Sequence, residues 1–278
     1  MTWSPFWIIS KLLGLYLSLF FLLITTSSFA TTFEGKFIQG SFILGKTKPG
    51  SEVFIDKKKV KVTSDGFFVF GLGRDRKYDV VITLDKDGNK QEIVKKVQKR
   101  KYNIQRIDGL EEKKVTPPEE VYERIKRENK WISNARSIES DLTFFTKNFI
   151  IPIENAIITG VYGSQRILNG KPKWPHYGLD FAADEGAKIK AMLDGTVTLV
   201  EPDLFYTGGT IIFDHGHGIS TLYMHMEKVL VKKGQKVKQG DIIGTVGSTG
   251  RATGAHLDVR LNWFDVRLDP ATALDVKK

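Results

Sequence analysis

The constraint that dominates this chain is a rhythm of short, alternating apolar and polar runs, each closed by a turn signal. Between Phe33 and Ile107 the runs are Ser51-Glu-Val-Phe-Ile-Asp, Gly66-Phe-Phe-Val-Phe and Tyr78-Asp-Val-Val-Ile-Thr-Leu. The turn signals around them are Lys48-Pro-Gly, Ser64-Asp-Gly and Asp87-Gly-Asn. A period of two puts alternate side chains on opposite faces of a strand, so this segment reads as a small β-sandwich of immunoglobulin-like character. The rhythm returns after Ile150, in Gly195-Thr-Val-Thr-Leu-Val, Gly209-Thr-Ile-Ile-Phe, Ile219-Ser-Thr-Leu-Tyr-Met and Asp241-Ile-Ile-Gly-Thr-Val. Between them lies one helical pattern. Thr116-Pro-Pro-Glu119 has the form of a capping box, with proline at the first helical position. Val121, Ile125, Ile132 and Ala135 then share a face, which predicts a helix to about Ser137. The expected organisation is mainly β: a β-sandwich module over 31–110, a helical linker over 111–140 and an antiparallel β domain over 141–278. A length of 278 residues suits about two domains.

Residues 1–30 read as a secretory signal. Lys11 is the only charged side chain before Glu34, Leu12 to Thr25 is mostly apolar, and Ser28-Phe-Ala30 places small residues at a cleavage site. The alternative is an uncleaved anchor, and only in that case is membrane contact expected. Either way the rest is exported, to the periplasm or cell envelope. The net charge of +10 is unevenly spread: residues 31–110 contribute +8, and 141–278 only +1. An exported chain rarely meets nucleic acid, so the basic module suggests an anionic envelope polymer or a membrane surface, or simply a lysine-rich solvated face.

There is no cysteine, which excludes disulfides, thiolate metal sites and a cysteine nucleophile. All five histidines fall between His176 and His256. Imidazole and carboxylate are then the natural zinc ligands. His176-Tyr-Gly-Leu-Asp180 offers one of each. They would lie about 13 Å apart on a straight strand, and Pro175 and Gly178 allow the bend that brings them together. Alternation in Thr221-Leu-Tyr-Met-His225-Met puts Thr221, Tyr223 and His225 on one face and Leu222, Met224 and Met226 on the other. His256 and Asp258 share a face about 7 Å apart and can converge on one ion or one substrate. Asp214-His-Gly-His217-Gly reads as a hairpin turn, with His217-Gly218 in place of the usual Asn-Gly, so His215 and His217 are expected to be structural.

Together these segments resemble the lysostaphin-type (LytM-like) zinc endopeptidases that cut peptidoglycan peptides. The similarity runs from about Ile150 to Leu274. It includes Thr159-Gly-Val-Tyr-Gly-Ser-Gln-Arg166, Gly178-Leu-Asp-Phe-Ala, Phe213-Asp-His-Gly-His-Gly and the Val231 to Gly244 hairpin. The resemblance implies a carboxy-terminal antiparallel β-sheet peptidase domain, with His176 and Asp180 as zinc ligands. It also implies that His225 and His256 are the catalytic pair over the metal water. One position departs. The family usually carries H-x-H in the last motif, with the second histidine as third ligand, and here that place is Asp258. Asp258 as a ligand would make the site formally neutral and less able to acidify water. It would also widen metal choice from zinc to other divalent ions such as manganese. Asn169, in the loop before His176, lies where related enzymes can cover the metal, so a switching role is open there.

No G-x-S-x-G elbow, phosphate loop or H-E-x-x-H occurs. The leading expectation is a metal-dependent endopeptidase of peptidoglycan cross-links. The alternative, motivated by Asp258, is a catalytically weak or inactive LytM-like module that activates another wall hydrolase.

Overall fold

The computed structural model describes residues 30–275. The signal segment expected over 1–30 therefore lies, apart from Ala30, outside the described residues. Seven strands come first: β1 (Thr32–Glu34), β2 (Phe42–Lys46), β3 (Glu52–Ile55), β4 (Lys58–Val60), β5 (Phe67–Gly71), β6 (Val80–Lys86) and β7 (Asn89–Lys95). They form two antiparallel sheets, ordered β1-β2-β5 and β4-β3-β6-β7. Phe68, Phe70, Val53 and Ile82 are fully buried in this module's core. Next come β8 (Ile104–Ile107), the short helix α1 (Glu112–Val115) and the helix α2 (Tyr122–Arg136).

The remaining strands are β9 (Ile157–Gly160), β10 (Gln165–Leu168), β11 (Lys171–Pro172), β12 (Leu179–Ala182), β13 (Lys188–Lys190), β14 (Gly195–Leu204), β15 (Gly208–Gly216), β16 (Ile219–Val229), β17 (Lys236–Val237), β18 (Ile242–Val246), β19 (His256–Trp263) and β20 (Val266–Leu268), followed by α3 (Pro270–Leu274). All but β10 and β11 join one large sheet whose main path is β17-β14-β15-β16-β19-β12-β9. The fold is thus mostly antiparallel β, as the alternating runs imply. Among the described residues no helix is long and apolar enough to cross a membrane.

The boundary between the two halves is less clean than composition suggests. β8 leaves the first module and pairs in parallel with β10, Ile104 against Gln165 through Ile107 against Leu168. One apolar core runs through both halves. Phe42 meets Phe149 edge-on at 5.7 Å, and Leu268 fills the space beside Gly71 that a side chain there would take. Arg100 pairs with buried Asp269 at 2.7 Å.

The linker helix starts later than the capping box predicts. Pro118 is extended (φ −70°, ψ 156°), residues 119–121 form a single 3-10 turn, and the α-helix begins at Tyr122 without a side-chain cap. The Thr116 hydroxyl instead accepts a hydrogen bond from Lys171 Nζ at 2.8 Å, so a tertiary contact has taken the capping group. Ile132 and Ala135 do face the sheet, on Leu199, Ile212, Leu222 and Met224. Buried Glu128 accepts from Arg124 Nε at 2.6 Å and from the Phe205 backbone N–H at 2.8 Å.

Candidate metal centre

Three adjacent strands, β12, β19 and β16, build the site. Asp180 on β12 is the direct antiparallel partner of Asp258 on β19, which places two carboxylates on one face about 5 Å apart. Like charges in that position repel, so positive charge must lie close by, and two guanidiniums flank them. His176 lies between the carboxylates. The chain bends just before β12, and His176 Nε2 reaches 3.0 Å from Asp180 Oδ1 and 3.4 Å from Asp258 Oδ2. One ligand atom from each of the three residues lies within 4.8 Å of the others, and all three residues are buried. Pro175 and Gly178 allow this bend, as the sequence implies.

The chemistry of this trio suits a cation. His176 Nδ1–H points to the Val161 carbonyl at 3.3 Å, which leaves the Nε2 lone pair for the centre. His176 Nε2, Asp180 Oδ1 and Asp258 Oδ1 are buried and lack any hydrogen-bond partner among the described residues. Buried acceptors without hydrogen-bond partners, one on each of three clustered residues, are what a divalent ion satisfies. Glycines leave room for the carboxylates. A Cβ at Gly160 would lie 2.0 Å from Asp180 Oδ2, and one at Gly178 would lie 1.9 Å from Asp258 Oδ1. Burial disfavours the imidazolium of His176, but the carboxylates of Asp258 and Asp180 outweigh it and raise the pKa. Asp258 is held well below the usual carboxylate range: burial opposes this, and Arg260 and His176 overcome it.

Two arginines complete the centre, and sequence reasoning did not assign them to it. Arg166 Nη2 donates to Asp180 Oδ2, and Arg260 Nη2 to Asp258 Oδ2, each at 3.1 Å. Arg166 takes Asp180 Oδ2 and leaves Oδ1 facing His176, whereas on Asp258 the oxygen that Arg260 takes, Oδ2, also lies 3.4 Å from His176 Nε2. Arg260 was detectable, since it lies two residues from Asp258 and so on the same strand face. Nothing local marks Arg166.

His225 and His256 meet beside the trio, with ring centroids 4.7 Å apart. His225 Nδ1–H donates to the Thr249 carbonyl and His256 Nδ1–H to the Gly254 carbonyl, both at 2.8 Å. Both rings therefore carry their second nitrogen as a free acceptor. Burial, with His256 nearby, pushes the His225 pKa down to about 4, so this imidazole is neutral at pH 7. The expected alternation along β16 fails here. Between the pairs Ile211–Tyr223 and Gly209–Met226, β15 advances two residues and β16 three. The extra residue is a β-bulge, and His225 takes φ +62°. Met226 consequently joins Tyr223 in the main core, while Met224 packs under α2. Strained backbone at a non-glycine residue is a recurrent mark of functional positions.

The other two histidines are structural. His217 (φ +50°) and Gly218 (φ +80°) form the turn between β15 and β16. Fully buried His215 donates through Nδ1 to the Asp194 carbonyl at 2.7 Å and pairs through Nε2 with the Thr221 hydroxyl at 2.8 Å. Asn169 does not face the centre. Its side-chain amide brackets the backbone of Leu110, donating at 2.8 Å and accepting at 3.2 Å, and so ties the linker to the β10–β11 hairpin.

A buried His/Asp/Asp trio that could hold a metal ion lies beside two acceptor imidazoles on an antiparallel sheet, the arrangement a metallopeptidase needs. Residues 174–270 match the model of peptidase family M23, so this stretch of the chain is an M23 (LytM-like) domain. It is 44% identical over 87 residues to the peptidoglycan DD-endopeptidase ShyA of Vibrio cholerae, covering 31% of this chain and 20% of that protein. It is 39% identical over 89 residues to the DD-carboxypeptidase/endopeptidase Mpg of Neisseria meningitidis, covering 31% and 20%. The chain thus spans about a fifth of the length of these curated relatives. Its fold is similar to that of a candidate M23 peptidase from Pseudomonas aeruginosa. The two superpose with a TM-score of 0.68 at 27% identity, over 86% of this chain and 95% of that one.

Proposed function

We propose that this protein is a metal-dependent endopeptidase that hydrolyses peptide cross-links of peptidoglycan, and that it is exported to the periplasm or cell envelope. The observation that carries the reading is the set of three buried, unpartnered ligand atoms on His176, Asp180 and Asp258 beside the His225–His256 pair. His176, Asp180 and Asp258 would hold the ion, zinc first and another divalent metal second. Such an ion supplies Lewis-acid polarisation of a peptide carbonyl and acidifies a water.

The chain's own groups do the rest. The Nδ1–H bonds to Thr249 and Gly254 carbonyls fix both imidazoles as Nε2 acceptors. One accepts the proton of the attacking water; the other steadies the developing oxyanion or delivers a proton to the leaving amine. His225 is buried and His256 half-exposed, so the pair spans the step from the core to the substrate groove.

The test is digestion of purified peptidoglycan by metal-loaded protein. Chelator-sensitive release of muropeptides is expected, abolished by His225→Ala and by His256→Ala. No cleavage of any of a broad panel of peptidoglycans would overturn the reading.

A second reading also has a specific observation behind it. Arg166 and Arg260 already compensate the two carboxylates, which weakens the pull on a dication and favours a non-enzymatic activator of another wall hydrolase. That reading expects function to survive when His225 and His256 are both changed to Ala.

A further inference from the structure

Matching the ions around the site leaves one cation over. Arg166 is paired with Asp180 and Arg260 with Asp258. Arg251 has no carboxylate partner among the described residues; its one side-chain hydrogen bond is from Nη1 to the Lys114 carbonyl at 3.3 Å. Burial, with Arg166 and Arg260 nearby, pulls its pKa down to about 10. A half-buried guanidinium without a counter-charge is costly, because desolvation is not repaid by a partner. It is also held in place. Its guanidinium carbon sits 4.4 Å from the centroid of the Tyr206 ring, and its backbone N–H donates to the Tyr206 carbonyl at 2.8 Å.

Arg251 opens onto the site. A groove of about 270 Å³ is lined by Arg251 and Arg166 together with Asp180, His256, Gln105 and Thr159. One loop carries Arg251 at one end and His256 at the other. The groove therefore offers two guanidiniums and a single carboxylate, that of Asp180, which Arg166 already occupies. A guanidinium with free N–H groups on an otherwise fixed side chain is a fork for a carboxylate. The groove is sized for a peptide side chain or terminus, not for a polymer surface.

We propose that Arg251 binds a free carboxylate of the substrate peptide, on a residue flanking the scissile bond. The site thereby selects peptides in which that group is not amidated. This rests on the peptidase reading above and names the substrate chemistry of the same groove.

The experiment uses the full chain, freed of metal by chelation, titrated calorimetrically with two synthetic cross-linked stem peptides. They are identical except that the carboxylate next to the cross-link is free in one and amidated in the other. Wild type should bind the free acid about 10- to 30-fold more tightly. Arg251→Gln should collapse that ratio to near one, and Arg251→Lys should keep part of it. Equal binding of both peptides by wild type, or a full ratio in Arg251→Gln, overturns the proposal. If Arg251→Gln fails to fold by circular dichroism, the wild-type ratio and Arg251→Lys carry the test, and an unchanged ratio in Arg251→Lys counts against the fork. A parallel digestion separates the two claims. Discrimination without cleavage sinks the peptidase reading and keeps this one; cleavage without discrimination does the reverse.

Discussion

Gly178→Ala probes the metal centre without touching a ligand. The backbone at Gly178 lies outside the left-handed region, so alanine is conformationally allowed and the effect is steric. The new Cβ would lie 1.9 Å from Asp258 Oδ1 and 2.8 Å from the Val259 carbonyl, where real Cβ atoms essentially never come within 3.0 Å. The carboxylate must retreat by about 1.1 Å at the least. It cannot do so freely, because Arg260 holds Oδ2 at 3.1 Å and β19 is paired on both sides. Metal–oxygen distances tolerate only about 0.2 Å. Zinc affinity should therefore fall by at least about 10- to 100-fold, the range for disturbed ligand support. Overpacking should add a stability loss of about 1–3 kcal/mol. Affinity is read by competition with a chromogenic chelator, and stability by urea unfolding. Gly73→Ala is the control, since a Cβ there meets nothing nearer than 3.6 Å. A folded Gly178→Ala protein that binds zinc as wild type does would show that Asp258 does not ligate at this position.

Other predictions follow from the core and the buried groups. His215 is fully buried with its pKa pushed to about 4, so the unfolded chain takes up its proton at higher pH than the folded one. Its contribution to stability is complete above about pH 6.5 and lost as pH falls toward 4, by about 3 kcal/mol in all. His215→Gln should lower the slope of urea-derived stability between pH 4.5 and 6 by about 1 kcal/mol per pH unit, and an unchanged slope would refute the assignment. Leu268→Ala should cost about 2–4 kcal/mol and leave a single unfolding transition, since Leu268 packs on the first module; two separate transitions would contradict a shared core. Adding zinc to chelator-treated protein should raise the Tm by binding linkage, an increase absent in His176→Ala.

The alternating runs made the β architecture legible, because a period of two is a local property that survives into the sheet. The expectation that His176, Asp180 and Asp258 form one set came from the resemblance to the lysostaphin-type peptidases, since each short motif alone is weak; the structure brings the three side chains together. What escaped was set by tertiary register. The bulge at His225 arises from how β16 meets β15, and no residue in Thr221-Leu-Tyr-Met-His225 announces it. The capping box at Thr116 was sound locally, but Lys171 on a distant hairpin claimed the hydroxyl. Arg166 and Arg251 reach the groove from separate loops and strands, so their convergence is visible only in three dimensions. β8 pairs across the boundary that composition suggested, for the same reason.

The proposed function requires that Asp258, in the place of the usual histidine, completes a working metal centre. Metal content and muropeptide release measured together on wild type, Asp258→Ala and Asp258→His test it most directly. Stoichiometric metal and cleavage are expected in wild type, loss of both in Asp258→Ala, and retention of both in Asp258→His. Metal and cleavage that persist undiminished in Asp258→Ala would contradict it.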